Sequence, residues 1–378
     1  MQALAEKLSP MITAHSDEVY MNLALFNRIK AVHDNADQLG LTPVQRRLTE
    51  KYYKRFVRNG ALLSAADQDT LKSINTRLAA LQLSFVNNVM SEIANNYVVV
   101  DNADRLSGLP KNTIDAAAKL AADKGMAGKW VFTPSASTRL AVLTSADDRS
   151  LREEMYKTYL ATANRGNEFD NSKNINAILK LRQQKAKLLG FKTFADYAID
   201  PVMAKTVDAA ENLLLSIWKP AVKKVDEEVA DMQKYADAHG AGYKIEAWDY
   251  YYFAEKVKAE KYNFSEDDVR PYFKLENVVE NGLFFLANKL YGLTFTKMPK
   301  APKYNPEVTV YDVKDAKGKH VAVFMTDYYP RPVKAQGAWM MEMNQAYDFG
   351  GKSERPIVYN VCSFTAPTKD IPSLLTLD

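Results

Sequence analysis

The fold is decided by residues 64–89, which read SAADQDTLKSINTRLAALQLSFVNNV. Ser64 and Asp67, three residues apart, form a capping-box-like helix start. Apolar residues then recur at spacings of three and four, at Leu71, Ile74, Leu78, Leu81, Phe85 and Val89. This spacing predicts a long helix with one apolar face that must pack against other helices.

The same periodicity recurs along most of the chain. Thr42-Pro43 is a helix start, because an N-cap residue precedes a proline at the first helical position, and Asn59-Gly60 is the matching stop. We expect Pro220 to kink or divide the longest of the later helices. Those later helices are predicted over 114–124, 148–159, 175–189, 207–238, 248–261 and 275–290.

Strand patterns are few. Val308–Val313 and His320–Met325 flank the turn signal Asp315–Gly318 and predict a β-hairpin over 308–325. Residues 357–364 are a third candidate strand, and 129–134 reads as a strand or extended passage. The sequence therefore predicts a mainly α, multi-helical protein with a small antiparallel β element.

Composition excludes several classes of protein. The chain has 378 residues, 47% hydrophobic and 25% charged, which is typical of globular domains and not of disordered chains. A net charge of +4 creates no strong field, so we expect no nucleic-acid partner. No apolar run approaches the roughly 18 residues of a membrane span, so we expect no membrane partner.

The single cysteine, Cys362, cannot form an internal disulfide. Met1–Val19 lacks the basic and apolar regions of a signal peptide. Both observations predict a cytoplasmic location. The native start is expected to lie upstream of Met1, which leaves a periplasmic location open.

No local sequence motif indicates a metal site or a catalytic nucleophile. The four histidines, His15, His33, His239 and His320, are far apart in sequence, and no H-E-x-x-H occurs. Zinc needs three or four converging ligands, so we predict no metal-ligating and no catalytic residue within the 378 residues. Cys362 is interpreted as a small apolar side chain on a strand.

Three other motifs each allow two interpretations. Gly350–Ser353 resembles the end of a phosphate-binding loop, but Ala346 replaces the first glycine of that motif and Pro356 follows, so a mobile glycine loop is preferred. The aromatic run 248–253 could line a ligand cleft or form a buried helix seam. Residues 334–343 join a possible helix start to a methionine-rich face, for which core packing is the default.

Several longer motifs resemble the thimet oligopeptidase family of zinc peptidases, most of all its bacterial peptidyl-dipeptidase branch, which includes oligopeptidase A and dipeptidyl carboxypeptidase-like enzymes. They occur in the family's order, firmly from about residue 140 onward. These motifs are EAWDYYYF (246–253), DVRPYFKLENV (268–278), NKLYGLTF (288–295), DYYPRPVK (327–334), GAWM (337–340) and RPIVYNVCSFT (355–365).

The resemblance implies a two-lobed helical body around a deep channel that admits short peptides. It also implies that zinc-bound water attacks the scissile carbonyl and that the peptide runs along an edge strand. By position, that strand is 357–364 in this chain. The residues expected at the cleft, for backbone pairing and shape, are Asn360, Val361, Cys362, Ser363, Gly337 and Trp339.

The departure from the family pattern concerns the metal site. PSLLTLD (372–378) looks like the lead-in to the family's zinc-binding helix, whose H-E-x-x-H is not among these residues. We therefore expect an internal piece of a longer enzyme, with an incomplete N-terminal helical domain over 1–145 and the first part of the peptidase domain over 146–378. Zinc belongs to the parent protein, and this piece is expected to be inactive and to self-associate.

Two other function classes stay open at this point. One is a non-catalytic helical scaffold or interaction protein derived from the same fold. The other is a phosphate or nucleotide binder acting through Lys352.

Overall fold

A computed structural model describes residues 2–263, 266–331, 334–335, 337–367 and 371–375. The chain divides into two compact units. The first comprises Met1–Ser91 and Ala163–Lys224, and the second comprises Glu92–Thr162 and Val225–Asp378. The domain boundary that we predict between residues 145 and 146 divides the sequence into two consecutive parts, and it stays a prediction.

The first unit is helical. Thr42 caps one of its helices in a reciprocal capping box with Gln45, as the Thr-Pro start predicts. Its helices are α1 (Gln2–Tyr20), α2 (Leu23–Asp34), α3 (Pro43–Arg58), most of α4 (Ala65–Asn95), α8 (Ser172–Leu188), α9 (Phe194–Ile199) and the start of α10 (Val207–Ala238).

Two apolar clusters hold this unit together. Phe26 of α2 and Phe56 of α3 are both buried, with ring centroids 6.1 Å apart. Ile74 and Leu78 of α4 pack with Ile178 and Leu181 of α8. The apolar face that residues 64–89 predict is therefore buried against a neighbouring helix.

The second unit combines helices with the sheet. A buried cluster that includes Val100, Phe132, Val142 and Leu151 forms one core. The helices that lie wholly within this unit are α5 (Lys111–Asp123), α6 (Ala136–Ser145), α7 (Arg149–Leu160), α11 (Tyr250–Tyr262), α12 (Glu266–Val269), α13 (Leu275–Asn277) and α14 (Phe285–Tyr291), with a π-helical stretch at Val278–Phe284 between the last two.

The main sheet has five strands in the order β3-β4-β5-β9-β6, and two short antiparallel pairs, β1-β2 and β7-β8, lie outside it. β9 runs parallel to β5 and antiparallel to β6, so the sheet is mixed. The strands are β1 (Val98–Val100), β2 (Trp130–Phe132), β3 (Thr294–Lys297), β4 (Thr309–Lys314), β5 (His320–Asp327), β6 (Trp339–Asn344), β7 (Tyr347–Phe349), β8 (Lys352–Glu354) and β9 (Ile357–Val361).

The predicted fold class, mainly α with a small β element, is confirmed. The hairpin over 308–325 is confirmed as β4 and β5, while the strand predicted over 357–364 ends at Val361. Within the described part of the chain, every helix is too short or too polar to span a bilayer.

Two local predictions are wrong. Pro220 does not divide α10, which runs unbroken from Val207 to Ala238, so this half of the prediction is wrong, whereas a kink at Pro220 stays a prediction. Residues 334–343 do not begin a helix, because 339–344 form β6, paired along β9.

Candidate functional site

The strand expected to bind an extended ligand is not at an edge of the sheet. β9 lies between β5 and β6, with Asn360 opposite both Thr326 and Met340, and Val361 opposite both Asp327 and Trp339. A strand paired on both sides has no free row of amides and carbonyls. The expectation of an edge strand is therefore wrong for 357–361, while the assignment of the cleft residues stays a prediction.

The edge is formed by β6 instead. This strand pairs with β9 on one side and with no strand of the described residues on the other. Met340, Met341 and Met343 are 59, 54 and 53% exposed, so core packing of this methionine-rich stretch is also wrong. An unpaired strand with exposed, adaptable side chains is a template for an added strand.

The six predicted cleft residues lie together at one end of the sheet. Trp339 starts β6 opposite Val361, and the Asn360 side-chain amide donates to the Trp339 carbonyl over 3.3 Å. Gly337, two residues before Trp339, has a φ of +105° that glycine adopts without strain. Val361 and Cys362 are buried, because they belong to β9 and the residues just after it and not to the edge strand β6.

A buried charge network adjoins this end of the sheet, and sequence reasoning missed it. Asp327, the last residue of β5, is 3% exposed and accepts hydrogen bonds from both Arg331 guanidinium nitrogens at 2.6 and 2.8 Å. The Tyr304 hydroxyl donates to Asp327 Oδ2 over 2.9 Å, and Lys334 Nζ lies 3.0 Å from Asp327 Oδ1. The signal available in sequence was DYYPRPVK (327–334), in which one acid and two bases follow a predicted strand.

These contacts shift the acidities of the groups involved. Burial tends to raise the pKa of Asp327, but the hydrogen bonds from Arg331, Lys334 and Tyr304 outweigh it and hold the pKa at about 2. Burial, with the hydrogen bond to Asp327, raises the pKa of Tyr304 to about 12. Burial also raises the pKa of the Cys362 thiol, which disfavours a nucleophilic thiolate.

The described residues do not fit a zinc site. They include no group of three or more His, Cys, Asp or Glu side chains arranged to hold a metal ion. His33 and His239 stack on tyrosines with ring centroids 3.9 and 4.0 Å apart, and His320 contacts Asp312 at 2.6 Å. Each of these three histidines therefore has a local structural partner and no second histidine beside it.

The aromatic run 248–253 is a packed helix start and not a cleft lining. Asp249 is fully buried, and Phe253 belongs to a core cluster with Met232 and Ala236. The Tyr252 hydroxyl donates to Asp147 over 2.9 Å. Of the aromatic side chains in residues 248–253, that of Tyr251 is exposed.

The glycine motif at 350–353 forms a hairpin turn. Gly350 and Gly351 have φ values of +61° and +73° and connect β7 to β8, with Phe349 opposite Lys352. Two positive φ angles are the requirement of a tight two-residue hairpin loop. A strand follows the glycines where a phosphate-binding loop requires a helix, so the nucleotide interpretation is not supported.

An open groove of about 680 Å³ lies between the π-helical stretch and β3. Phe284, Phe295 and Tyr311 form its aromatic floor, and Lys297 pairs with Glu280 over 2.7 Å. None of the six cleft residues predicted from the sequence lines it.

Comparison with known proteins gives the class of protein. A family model described as Peptidase family M3 matches residues 142–378. Across all of this chain, the sequence is 34% identical to the dipeptidyl carboxypeptidase of Salmonella typhimurium and 32% identical to a probable cytosolic oligopeptidase A of Arabidopsis thaliana. It is 29% identical to the oligopeptidase A of Escherichia coli over 99% of the chain.

These matches define the class as peptidases. The chain belongs to peptidase family M3, which confirms the resemblance to the thimet oligopeptidase family. The chain spans 55% of the length of each of these three relatives.

Proposed function

We propose that this chain supplies the substrate-binding sheet of a zinc-dependent oligopeptidase or peptidyl-dipeptidase that hydrolyses short peptides. The observation that carries the proposal is the edge of β6 that no strand of the described part of the chain covers, in a chain that belongs to peptidase family M3. The names of the relatives, dipeptidyl carboxypeptidase and oligopeptidase A, support short peptides as the substrate class.

The peptide binds as an added strand. The outward backbone groups of Trp339–Asn344 pair with it, and this gives affinity for an extended chain whatever its side chains. Met340, Met341 and Met343 are unbranched and exposed, so they adapt to different side chains of the bound peptide. Gly337 and Trp339 stand at the start of this edge, and Asn360, Val361, Cys362 and Ser363 support it from behind.

The metal chemistry belongs to residues outside these 378. In such enzymes a bound zinc ion lowers the pKa of a water molecule and so supplies the nucleophile at neutral pH. The described residues do not fit a zinc site, so we assign no catalytic residue here and expect the isolated chain to be inactive. Its role is to hold and align the peptide backbone.

The charge and the cysteine content of the chain bear on its partners and its location. The net charge of +4 over 378 residues gives no electrostatic reason to bind nucleic acid or a membrane surface. A cytoplasmic location stays our proposal, and the single cysteine supports it.

The test is the binding of a short labelled peptide to the isolated chain, measured by the fluorescence anisotropy of the peptide. We expect binding that does not need metal and that is lost when alternate peptide nitrogens are methylated, because N-methylation removes backbone donors and keeps the side chains. Equal binding of the methylated and unmethylated peptides would rule out the added-strand mode. A complete protein that binds peptide but never hydrolyses it, even with zinc, would favour the non-catalytic scaffold.

A further inference from the structure

We propose that Lys334 is a positioning residue that fixes where the peptide-binding edge β6 begins, an inference that rests on the function proposed above. Its ammonium group ties together the carboxyl ends of β5 and β9 and the connection that leads into β6.

The connection between β5 and β6 must cross the end of β9. β5 and β9 are parallel, so both finish at the same end of the sheet, and β6 is antiparallel to β9, so it starts there. Trp339 lies opposite Val361, the last residue of β9. The chain therefore goes from one side of β9 to the other between Asp327 and Trp339, at the carboxyl end of β9, and Lys334 belongs to this connection.

Lys334 is placed at the centre of this crossing. Its Nζ lies 2.6 Å from the Cys362 carbonyl oxygen, 2.7 Å from the Tyr329 carbonyl oxygen and 3.0 Å from the Asp327 carbonyl oxygen. The side chain is 5% exposed. One cation thus joins the segment after β9, the crossing connection and the end of β5.

Backbone pairing alone leaves this crossing weakly held. Beyond the strands, the Cys362 amide donates to the Asp327 carbonyl and the Phe364 amide to the Tyr328 carbonyl, both over 2.9 Å. These bonds extend the pairing of β5 with the chain after β9, and they reach no further into the connection than its first residue, Tyr328. The Lys334 side chain supplies that link, five residues before Trp339.

Arg331 has a different role in the same network. Its guanidinium pairs with the Asp327 carboxylate. Among the described residues, it donates to no carbonyl of the segment after β9. Removing Arg331 should weaken the network without freeing that segment. Removing the Lys334 ammonium takes this donor from the Tyr329 and Cys362 carbonyls and leaves the Asp327 carbonyl with the Cys362 amide, and buried acceptors that lose their donor destabilise the fold. Comparing the two variants separates positioning from general stability.

The first test is the reactivity of Cys362, the only cysteine of the chain, which is buried beside the Lys334 contact. In the 378-residue chain, we expect Lys334→Met to increase the rate of thiol modification by DTNB at least about tenfold, because the segment after β9 opens locally. Arg331→Gln should change that rate much less. Lys317→Met, on the exposed turn between β4 and β5, is the matched control and should not change it.

Two results would overturn the inference. One is a rate of Cys362 modification by DTNB in the Lys334→Met variant that equals the wild-type rate. The other is equal acceleration by Lys334→Met and Arg331→Gln, which would show a general loss of stability. If Lys334→Met does not fold, as judged by circular dichroism, Lys334→Arg replaces it. That variant keeps the charge but offers a larger planar donor, so unchanged protection of Cys362 would then contradict the inference.

The second test uses the complete protein that carries this chain. If β6 binds substrate and transition state alike, Lys334→Met raises KM at least about tenfold with little change in kcat. A loss in kcat alone would contradict positioning of a binding edge. The two proposals can fail separately, because a wild-type chain that binds no peptide refutes the function, whereas a protected Cys362 refutes the role of Lys334.

Discussion

Arg152 and Asp249 lie 97 residues apart in sequence and are joined by a hydrogen-bonded ion pair of 2.8 Å. Their side chains are 1% and 0% exposed. Arg149 donates to the same carboxylate over 2.9 Å, and Arg152 also donates to the Ala146 carbonyl over 2.7 Å. Asp249 therefore connects α7 to the beginning of α11 inside the second unit.

Asp249→Asn should be among the most destabilising single substitutions in this unit. It leaves two arginines without their counter-charge, one of them fully buried, and breaking such a pair costs about 3–5 kcal/mol. Urea unfolding should show this loss in the free energy of unfolding. Asp231→Asn, which removes a half-exposed carboxylate on α10, is the control and should change little. Equal effects of the two substitutions would contradict a structural role for the buried pair.

Arg58 should have the corresponding role in the first unit. It donates to Asp200 Oδ2 and to the Tyr197 carbonyl, both over 2.6 Å, and lies 4.3 Å from the Tyr197 ring centroid. We expect Arg58→Ala to cost about 1.5–3 kcal/mol, the range for hydrogen bonds to charged groups.

Arg47→Ala is the matched control for Arg58, because Arg47 lies on the same helix and pairs with Glu50 on the surface. It should stay within about 0.5 kcal/mol of the wild type. Thermal unfolding of both variants checks this, and a larger effect at Arg47 would show that the contacts of Arg58 are not what holds α9 to α3.

Acid should weaken the network at the end of β5. The pKa of Asp327 in the folded chain is about 2, below its ordinary value of 3.8. A depressed folded pKa gives stability that is present above the unfolded pKa and lost as pH falls through the folded one, here between about pH 4 and 2. Asp327→Asn removes this contribution, so its stability should fall less steeply over that window. Parallel stability curves for wild type and variant would contradict the assignment.

The helices were largely predictable, and the site was not, for one physical reason. Helical periodicity is local, so the pattern of 64–89 suffices to indicate α4, and Thr42-Pro43 suffices to start α3. The insertion of β9 between β5 and β6 depends on pairing between distant strands, and no short-range pattern specifies it. The edge was therefore assigned to the wrong strand, although its neighbours in space, Trp339 and Val361, were both predicted.

Burial of charge was missed for the same reason. Asp327, Arg331 and Lys334 are residue types that are rarely buried unless paired, so their sequence suggests a solvated loop. The side chains of Asp327 and Lys334 are buried where the chain goes from β5 to β6 at the end of β9, and Arg331 remains a quarter exposed. Asp249 and Arg152 are a second case, since the partner that allows each to be buried is remote in sequence.

The exposed edge should also make the isolated chain self-associate. Among the described residues, β6 has a strand partner on one side only, and it carries three exposed methionines, a combination that promotes pairing between copies. We expect concentration-dependent association in sedimentation velocity and less of it in Met341→Lys, because a charged side chain at an edge opposes pairing. Met203→Lys is the control, since Met203 is 97% exposed and lies outside the sheet. A wild-type chain that stays monomeric at high concentration would contradict this.

The isolated chain should neither bind zinc tightly nor cleave peptides. Unperturbed water, with a pKa of about 15.7, is a poor nucleophile at neutral pH, and only a held metal ion corrects this. Tight zinc binding needs three or four converging ligands, and the described residues bring no such group together. Metal analysis of the purified chain, together with a quenched-fluorescent peptide assay, checks both expectations. Stoichiometric zinc with chelator-sensitive hydrolysis would place the catalytic site within these 378 residues after all. Peptide binding without hydrolysis is the expected result, because the β6 edge can bind a peptide backbone without a metal ion.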